Sequence, residues 1–191
     1  MTSISHNNRR YNFSAGPACL PLTVLERAQR DLLCLPECVA SLLEISHRSA
    51  TFTSILSSAI ARLRRLLDIP HEYEVFFMQG GSRLQFSAVP MNLLGGQSGP
   101  GEYVLGGSWG IKAFAEAQRA GNAHVAWDGQ PLNYVRLGSV EEFDVAPNAA
   151  FLHFTSNETI QGTQYAQPPV LNSIPLVCDA SSDFLSRPLN I

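Results

Sequence analysis

The sequence predicts an α/β fold, a mainly parallel sheet flanked by helices. Three observations predict it. Short apolar runs at 103–105, 124–127, 151–154 and 176–178 read as buried strands. Glycine pairs, Gly80-Gly81 and Gly106-Gly107, each follow an apolar run and precede a helical pattern. The order strand, glycine turn, helix, strand is the grammar of a parallel sheet, because parallel neighbours need a crossover between them.

Taken in order, Tyr11–Pro21 is an irregular arm holding Gly16, Pro17 and Pro21. Pro21 suits the first turn of a helix running through Leu25, Ala28 and Leu32, which Pro36 ends. Residues 50–67 form a longer helix: Phe52, Ile55, Leu56, Ala59, Ile60, Leu63, Leu66 and Leu67 recur at helical spacing, with arginines opposite. Pro70 and His71 mark the next loop. Residues 73–78 are predicted to form a strand, and 83–94 a helix kinked near Pro90. A strand at 103–105, a helix at 109–119 and a strand at 124–127 follow. There is no internal repeat and no low-complexity segment.

Composition narrows the function classes. The 191 residues fit one domain or most of one, and a 45% hydrophobic fraction supports a core rather than disorder. A net charge of −3 with no Lys/Arg run argues against nucleic-acid binding, which needs a basic patch. No apolar run approaches the roughly 20 residues of a membrane span. Residues 1–10 are polar and lack the apolar stretch of a secretory signal. Cys19, Cys34, Cys38 and Cys178 have no C-x-x-C spacing and read as reduced thiols, neither disulfide framework nor metal site, in a cytoplasmic protein. Lys112 is the single lysine.

Ligands of open α/β sheets bind beyond the carboxyl ends of the strands, and several polar groups are predicted there. Gln79-Gly80-Gly81-Ser82-Arg83 could bring free helix N–H groups to a phosphate, or be a plain tight turn. Trp109, after Gly106-Gly107-Ser108, could stack on a planar ring, or start a helix in the core. Asp179 ends an apolar run and needs a hydrogen-bonding or cationic partner. A protonated pyridine nitrogen is one such partner, and a capping role toward Ser181 and Ser182 is the other. Ser46-His47-Arg48 could bind a phosphate or carboxylate, or be a solvated surface pair. Thr159, in Asn157-Glu158-Thr159, offers a hydroxyl to a phenolate or phosphate oxygen, or sits in an ordinary loop. Together, a phosphate turn, an aromatic plate, an acid and a hydroxyl suit a phosphorylated aromatic cofactor.

Six segments also resemble phosphoserine aminotransferases, in that family's order: Asn12–Pro17, Glu44–Arg48, Phe77–Gly81, Gln85–Pro90, Asn157–Ile160, and Asp179 with Leu185–Pro188. The resemblance covers the chain beyond its first ten or so residues and implies about half of a complete family member. It implies a fold-type I large domain that binds pyridoxal 5'-phosphate, here divided into an N-terminal arm at 1–20 and an incomplete cofactor-binding domain at 21–191. It implies amino transfer between glutamate and 3-phosphohydroxypyruvate, giving phosphoserine, in serine biosynthesis with pyridoxine biosynthesis as a second role, by a cytoplasmic homodimer. By match to the motifs, Ser82 and Arg83 hold the cofactor phosphate and Trp109 stacks on the ring. Thr159 bonds the ring oxygen and Asp179 pairs with the pyridine nitrogen. Ser14, His47 and Arg48 bind substrate.

The Schiff-base lysine of the family is expected beyond Ile191, so no catalytic residue is assigned within the chain and the 191 residues alone are expected to be inactive. Lys112, three residues after Trp109 on a predicted helix, is expected to point away from the reactive position. The alternatives are a non-catalytic protein or pseudoenzyme that keeps a phosphate-ligand pocket, and a flavin or nucleotide binder. The latter gives Trp109 and Asp179 no special role.

Overall fold

A computed structural model describes residues 9–14, 18–96, 98–171 and 174–188. Gly16 and Pro17 of the arm, with Ala15, lie outside the described residues. The chain divides into two compact units, one reaching Val75 and the other running from Phe76 to Arg187.

The first unit holds two helices, α1 (Leu22–Leu33) and α2 (Ala50–Leu67). Pro21 sits at the N-cap of α1 rather than inside its first turn, and the fixed φ of proline suits either place. The helix ends before Pro36, which cannot continue it. Ser49 caps α2 by accepting a hydrogen bond from the Phe52 N–H at 3.2 Å. Asp68 closes α2 in the left-handed conformation. Between the helices, Leu35 and Ala40 form a single antiparallel bridge.

The second unit is the α/β body. Its elements are α3 (Gly81–Leu93), β1 (Gly101–Leu105), α4 (Ser108–Ala120), β2 (Ala123–Asp128), β3 (Phe151–Thr155), β4 (Asn157–Glu158), β5 (Thr163–Gln164) and β6 (Leu176–Asp179). Four strands make a parallel sheet in the order β2-β1-β3-β6, and β4 pairs with β5 antiparallel. The parallel sheet follows from the crossover helix α4, which returns the chain from β1 to β2 on one face. Register places Tyr103 beside His153 and His153 beside Val177, and in the next row Thr155 beside Asp179.

Every residue of β1 and β3 is buried, as central parallel strands require. On one face Tyr103, Leu105 and Phe151 pack with Phe86 of α3 and with Ala113 and Ala117 of α4. On the other, Val104, Ala126, Trp127, Leu152 and Phe154 pack under Phe143, Val145, Tyr165 and Ile174. That second cover is loop and 3-10 turn, including Gln130–Leu132 and Val140–Glu142.

Two expectations need correction. Residues 73–78 carry no strand. Phe76, Phe77 and Met78 are exposed: an apolar run becomes a strand only where it pairs with a neighbour, and no described strand pairs with this one. The short hairpin of β4 and β5 was not anticipated, because two-residue strands leave no periodicity to read. Pro90 does lie within α3, buried against the core.

Candidate functional site

The two glycine pairs begin helices in different ways. Gly80 and Gly81 have φ of 90° and 59°, a left-handed turn that side chains rarely accept. α3 starts there with no side-chain cap. The first-turn N–H groups of Gly81, Ser82 and Arg83 have no partner among the described residues. Such an end concentrates N–H groups and positive dipole, the features that hold a phosphate. Arg83 is exposed beside it. Ser82 Oγ is hydrogen-bonded to Ser181 Oγ, and Ser181 donates to Asp179 Oδ1 from both its hydroxyl and its N–H.

Asp179 stands at the carboxyl end of β6, half-buried. Both sequence readings of this residue are present in part. Oδ1 serves the Ser181 turn, as a capping aspartate does, whereas Oδ2 takes no hydrogen bond among the described residues. A cavity of about 170 Å³ lies beside it, lined by Ser82, Gln85, Phe86, His153, Asp179 and Ser181 among others. The phosphate-type helix end and the acid therefore share one cavity wall.

α4 begins at the second glycine pair, and its N–H groups are filled. The Gln161 side-chain oxygen accepts from Ser108 N–H at 3.1 Å, and its amide donates to Ser108 Oγ at 2.9 Å. The Glu158 carboxylate accepts from Trp109 N–H at 2.9 Å and Gly110 N–H at 2.8 Å. Glu158 is fully buried. Burial raises its pKa, opposed by the two N–H groups it accepts and by Lys112, with the Asp179 charge adding to the rise. A phosphate therefore has no free donors at α4.

Trp109 is held from two sides. Its indole Nε1–H donates to Thr159 Oγ1 at 2.9 Å, and it packs against the cluster containing Phe86 and Val177. Because that hydroxyl already accepts a hydrogen bond, its own proton is free to be donated to an oxygen of a neighbouring ligand. Lys112 shares a helix face with Trp109, its ammonium 4.1 Å from the indole centroid, as residues three apart on a helix do.

Trp109 with Thr159, and Ser82 with Asp179 through Ser181, thus form two hydrogen-bonded groups in the second unit, with Arg83 on the same helix turn as Ser82. Ser14, His47 and Arg48 belong to the first unit. Ser14 N–H donates to Asn12 Oδ1 at 2.9 Å. Arg48 N–H donates to Ser46 Oγ at 3.1 Å, and the His47 and Arg48 side chains are exposed just before the cap of α2.

Sequence reasoning gave no role to Glu158, Gln161 and His153. Ser181 was named as a residue that Asp179 would cap, since a serine two residues after an aspartate suits an Asx turn. Glu158 and Gln161 carried no signal, because they cap a helix about 50 residues earlier. His153 is buried between Tyr103, stacked at 5.0 Å, and Phe86, edge-on at 6.2 Å. Its Nδ1 has no partner among the described residues, nor do the buried Thr155 Oγ1 and Tyr103 OH. Burial lowers the His153 pKa to about 4, with the Asp179 charge pulling the other way. No group of three or more His, Cys, Asp or Glu could hold a metal ion among the described residues.

Comparisons with known proteins agree with this geometry. The family model "Aminotransferase class-V" matches residues 10–191. A phosphoserine aminotransferase of Rhodopirellula baltica is 48% identical over 191 residues, all of this chain and 51% of that protein. One from Niallia circulans is 46% identical over 97% of this chain and 51% of its own length. Among solved structures, phosphoserine aminotransferase from Bacillus circulans subsp. alkalophilus superposes with a TM-score of 0.89 at 46% identity, covering 95% of this chain and 50% of that one. The pyridoxal-phosphate-bound enzyme from Trichomonas vaginalis gives 0.86 at 37% identity, covering 95% and 53%. The chain spans about half the length of the curated relatives it matches. With a family model matched over nearly its whole length, and with the parallel sheet and helices of the fold-type I large domain, the chain belongs to the class-V aminotransferase family.

Proposed function

We propose that the protein carrying this chain is a phosphoserine aminotransferase that uses pyridoxal 5'-phosphate to move an amino group between glutamate and 3-phosphohydroxypyruvate. The observation that carries the reading is the open first turn of α3, joined through Ser82 and Ser181 to Asp179. Relatives at 43–48% identity bear the phosphoserine aminotransferase name, and one solved relative holds the cofactor.

The residues present fit the group. The uncapped N–H groups at Gly81–Arg83, with Ser82 Oγ and the Arg83 guanidinium, would hold its phosphate. The Trp109 indole would lie on its ring, and the Thr159 hydroxyl would donate to the ring oxygen. Asp179 Oδ2, which takes no bond among the described residues, would accept from a protonated ring nitrogen. When bound, the cofactor supplies an electron sink for bond cleavage at the amino-bearing carbon. The chain's own part is to orient it, and to keep its nitrogen protonated through the Asp179 carboxylate.

Ser14, His47 and Arg48 are assigned to the phosphate and carboxylate groups of the substrates, for which an arginine fork is suited. Lys112, engaged with Trp109, is not assigned as the lysine that joins the cofactor. The domain reading is carried forward with it: an arm at 1–20 and a large cofactor domain from residue 21 onward. A homodimer is part of the proposal and is supported by apolar residues exposed on α1, among them Val24, Leu32 and Leu33. A cytoplasmic location and a second role in pyridoxine biosynthesis belong to the same reading. No helix among the described residues is long and apolar enough to cross a membrane.

The test is an assay of the protein that carries this chain, following 2-oxoglutarate release from glutamate with 3-phosphohydroxypyruvate as acceptor. Cofactor-dependent turnover is expected. Cofactor binding without turnover would favour a non-catalytic pocket instead.

A further inference from the structure

Glu158 has no part in the reading above, yet the structure goes to some length to bury it. Its carboxylate has no exposed surface, and burial disfavours its charge. A carboxylate in such a place is costly unless donors surround it. The donors here are the Trp109 and Gly110 N–H groups at 2.9 and 2.8 Å, at the positive end of α4. A serine or aspartate at the cap position would have satisfied the same groups locally. Instead the cap comes from β4, so the helix end is tied to a distant loop.

What that tie accomplishes follows from the next residue. Glu158 holds the backbone N–H of Trp109, and Thr159 holds its indole Nε1–H. Consecutive residues of one loop thus grip one side chain at its root and at its ring. Gln161 adds a third point at Ser108 N–H. The packing leaves no slack: a Cβ on Gly107 would lie 2.5 Å from the Gln161 oxygen and 2.8 Å from Glu158 Cδ.

We propose that Glu158 is a positioning residue that locks the Trp109 indole and the Thr159 hydroxyl into one rigid unit facing the ligand. The proposal rests on the reading that Trp109 and Thr159 contact an aromatic cofactor. Through this lock, the ring plate and the hydroxyl donor keep a fixed mutual spacing before the ligand arrives. Binding then costs little ordering of either side chain.

Two measurements on the protein that carries this chain test it. Hydrogen exchange of the unaltered protein needs no variant. The Trp109 and Gly110 amides and the Trp109 indole N–H should be protected and should open together, whereas the α3 amides of Gly81–Arg83 exchange fast until pyridoxal phosphate is bound. Indole exchange independent of the two amides overturns the proposal. In a background where Trp109 is the one tryptophan left in the protein, Glu158→Gln replaces one acceptor oxygen by a donor facing an N–H. Acrylamide quenching of Trp109 should rise several-fold, and the pyridoxal phosphate dissociation constant by about tenfold, the scale of one charged hydrogen bond. Unchanged quenching in a folded Glu158→Gln protein also overturns it. Failure of the unaltered protein to bind pyridoxal phosphate would sink the functional reading instead, with the indole measurements still deciding the role of Glu158.

Discussion

Gly80-Gly81-Ser82-Arg83 and Gly106-Gly107-Ser108-Trp109 are nearly the same tetrapeptide, and both begin a helix on the same face of the sheet. The first is open and the second is closed. At α3 the glycines are needed for their backbone conformation, and the helix N–H groups are left unfilled. At α4 Gly107 is extended, and it is glycine because Gln161 and Glu158 occupy the space of a side chain. The environment beneath differs as well. The open end borders a cavity walled by His153, whose Nδ1 is unpaired, whereas the closed end has its first three N–H groups satisfied. The lesson is that unfilled hydrogen-bonding capacity at a helix start is set by what the fold brings to it, and the glycines alone do not reveal it.

The comparison can be broken most decisively at Asp179. If chemistry belongs to the open end, Asp179→Ala in the protein that carries this chain should slow single-turnover amino transfer by between about a hundredfold and a thousandfold. The cofactor should remain bindable, because its phosphate contacts lie at α3. A rate equal to that of the unaltered protein removes Asp179 from the assignment.

His153 sharpens the comparison from below. Its pKa falls from 6.5 to about 4 in the folded chain. Between these values the unfolded chain takes up a proton that the folded one refuses. Stability therefore declines as pH falls from 6.5 toward 4, by roughly 3 kcal/mol in total. Denaturant unfolding across this range should show the decline, and His153→Phe should flatten it. An equally steep decline in the variant would assign the effect to other groups.

The two glycine pairs should also respond differently to alanine. Gly107→Ala drives a methyl into the Gln161 and Glu158 side chains and should cost about 2 kcal/mol, as overpacking does. Gly81→Ala meets no atom within 4 Å, so only its positive φ is penalised, by about 1 kcal/mol. Urea midpoints measured side by side decide this. A larger loss at Gly81 would reverse the distinction between a steric glycine and a conformational one.

Much of the body was legible in the sequence. Short apolar runs located β1, β2, β3 and β6 to within a residue or two, 3.6-residue spacing located α2, and the glycine turn before it located α4. Those signals are local, because a strand buried on both faces or a helix with one apolar face must carry its pattern in its own residues. Ser82, Trp109, Thr159 and Asp179 could be nominated for a similar reason, since polar groups at strand ends stand out against apolar runs. Residues 73–78 show the limit. Their composition is that of a strand, but a ladder partner is a property of another segment.

What the sequence by itself determined is therefore most of the order of elements, the strands whose carboxyl ends carry polar groups and a short roster of polar candidates. Only the tertiary structure decided which glycine turn keeps its helix N–H groups open. Glu158 and Gln161 close α4 from about 50 residues away, and no comparable group reaches α3 among the described residues. The physical reason is that a helix's first N–H groups can be satisfied by any acceptor the fold delivers. The tetrapeptide that begins a helix says where donors will be, and long-range packing says whether they are already used.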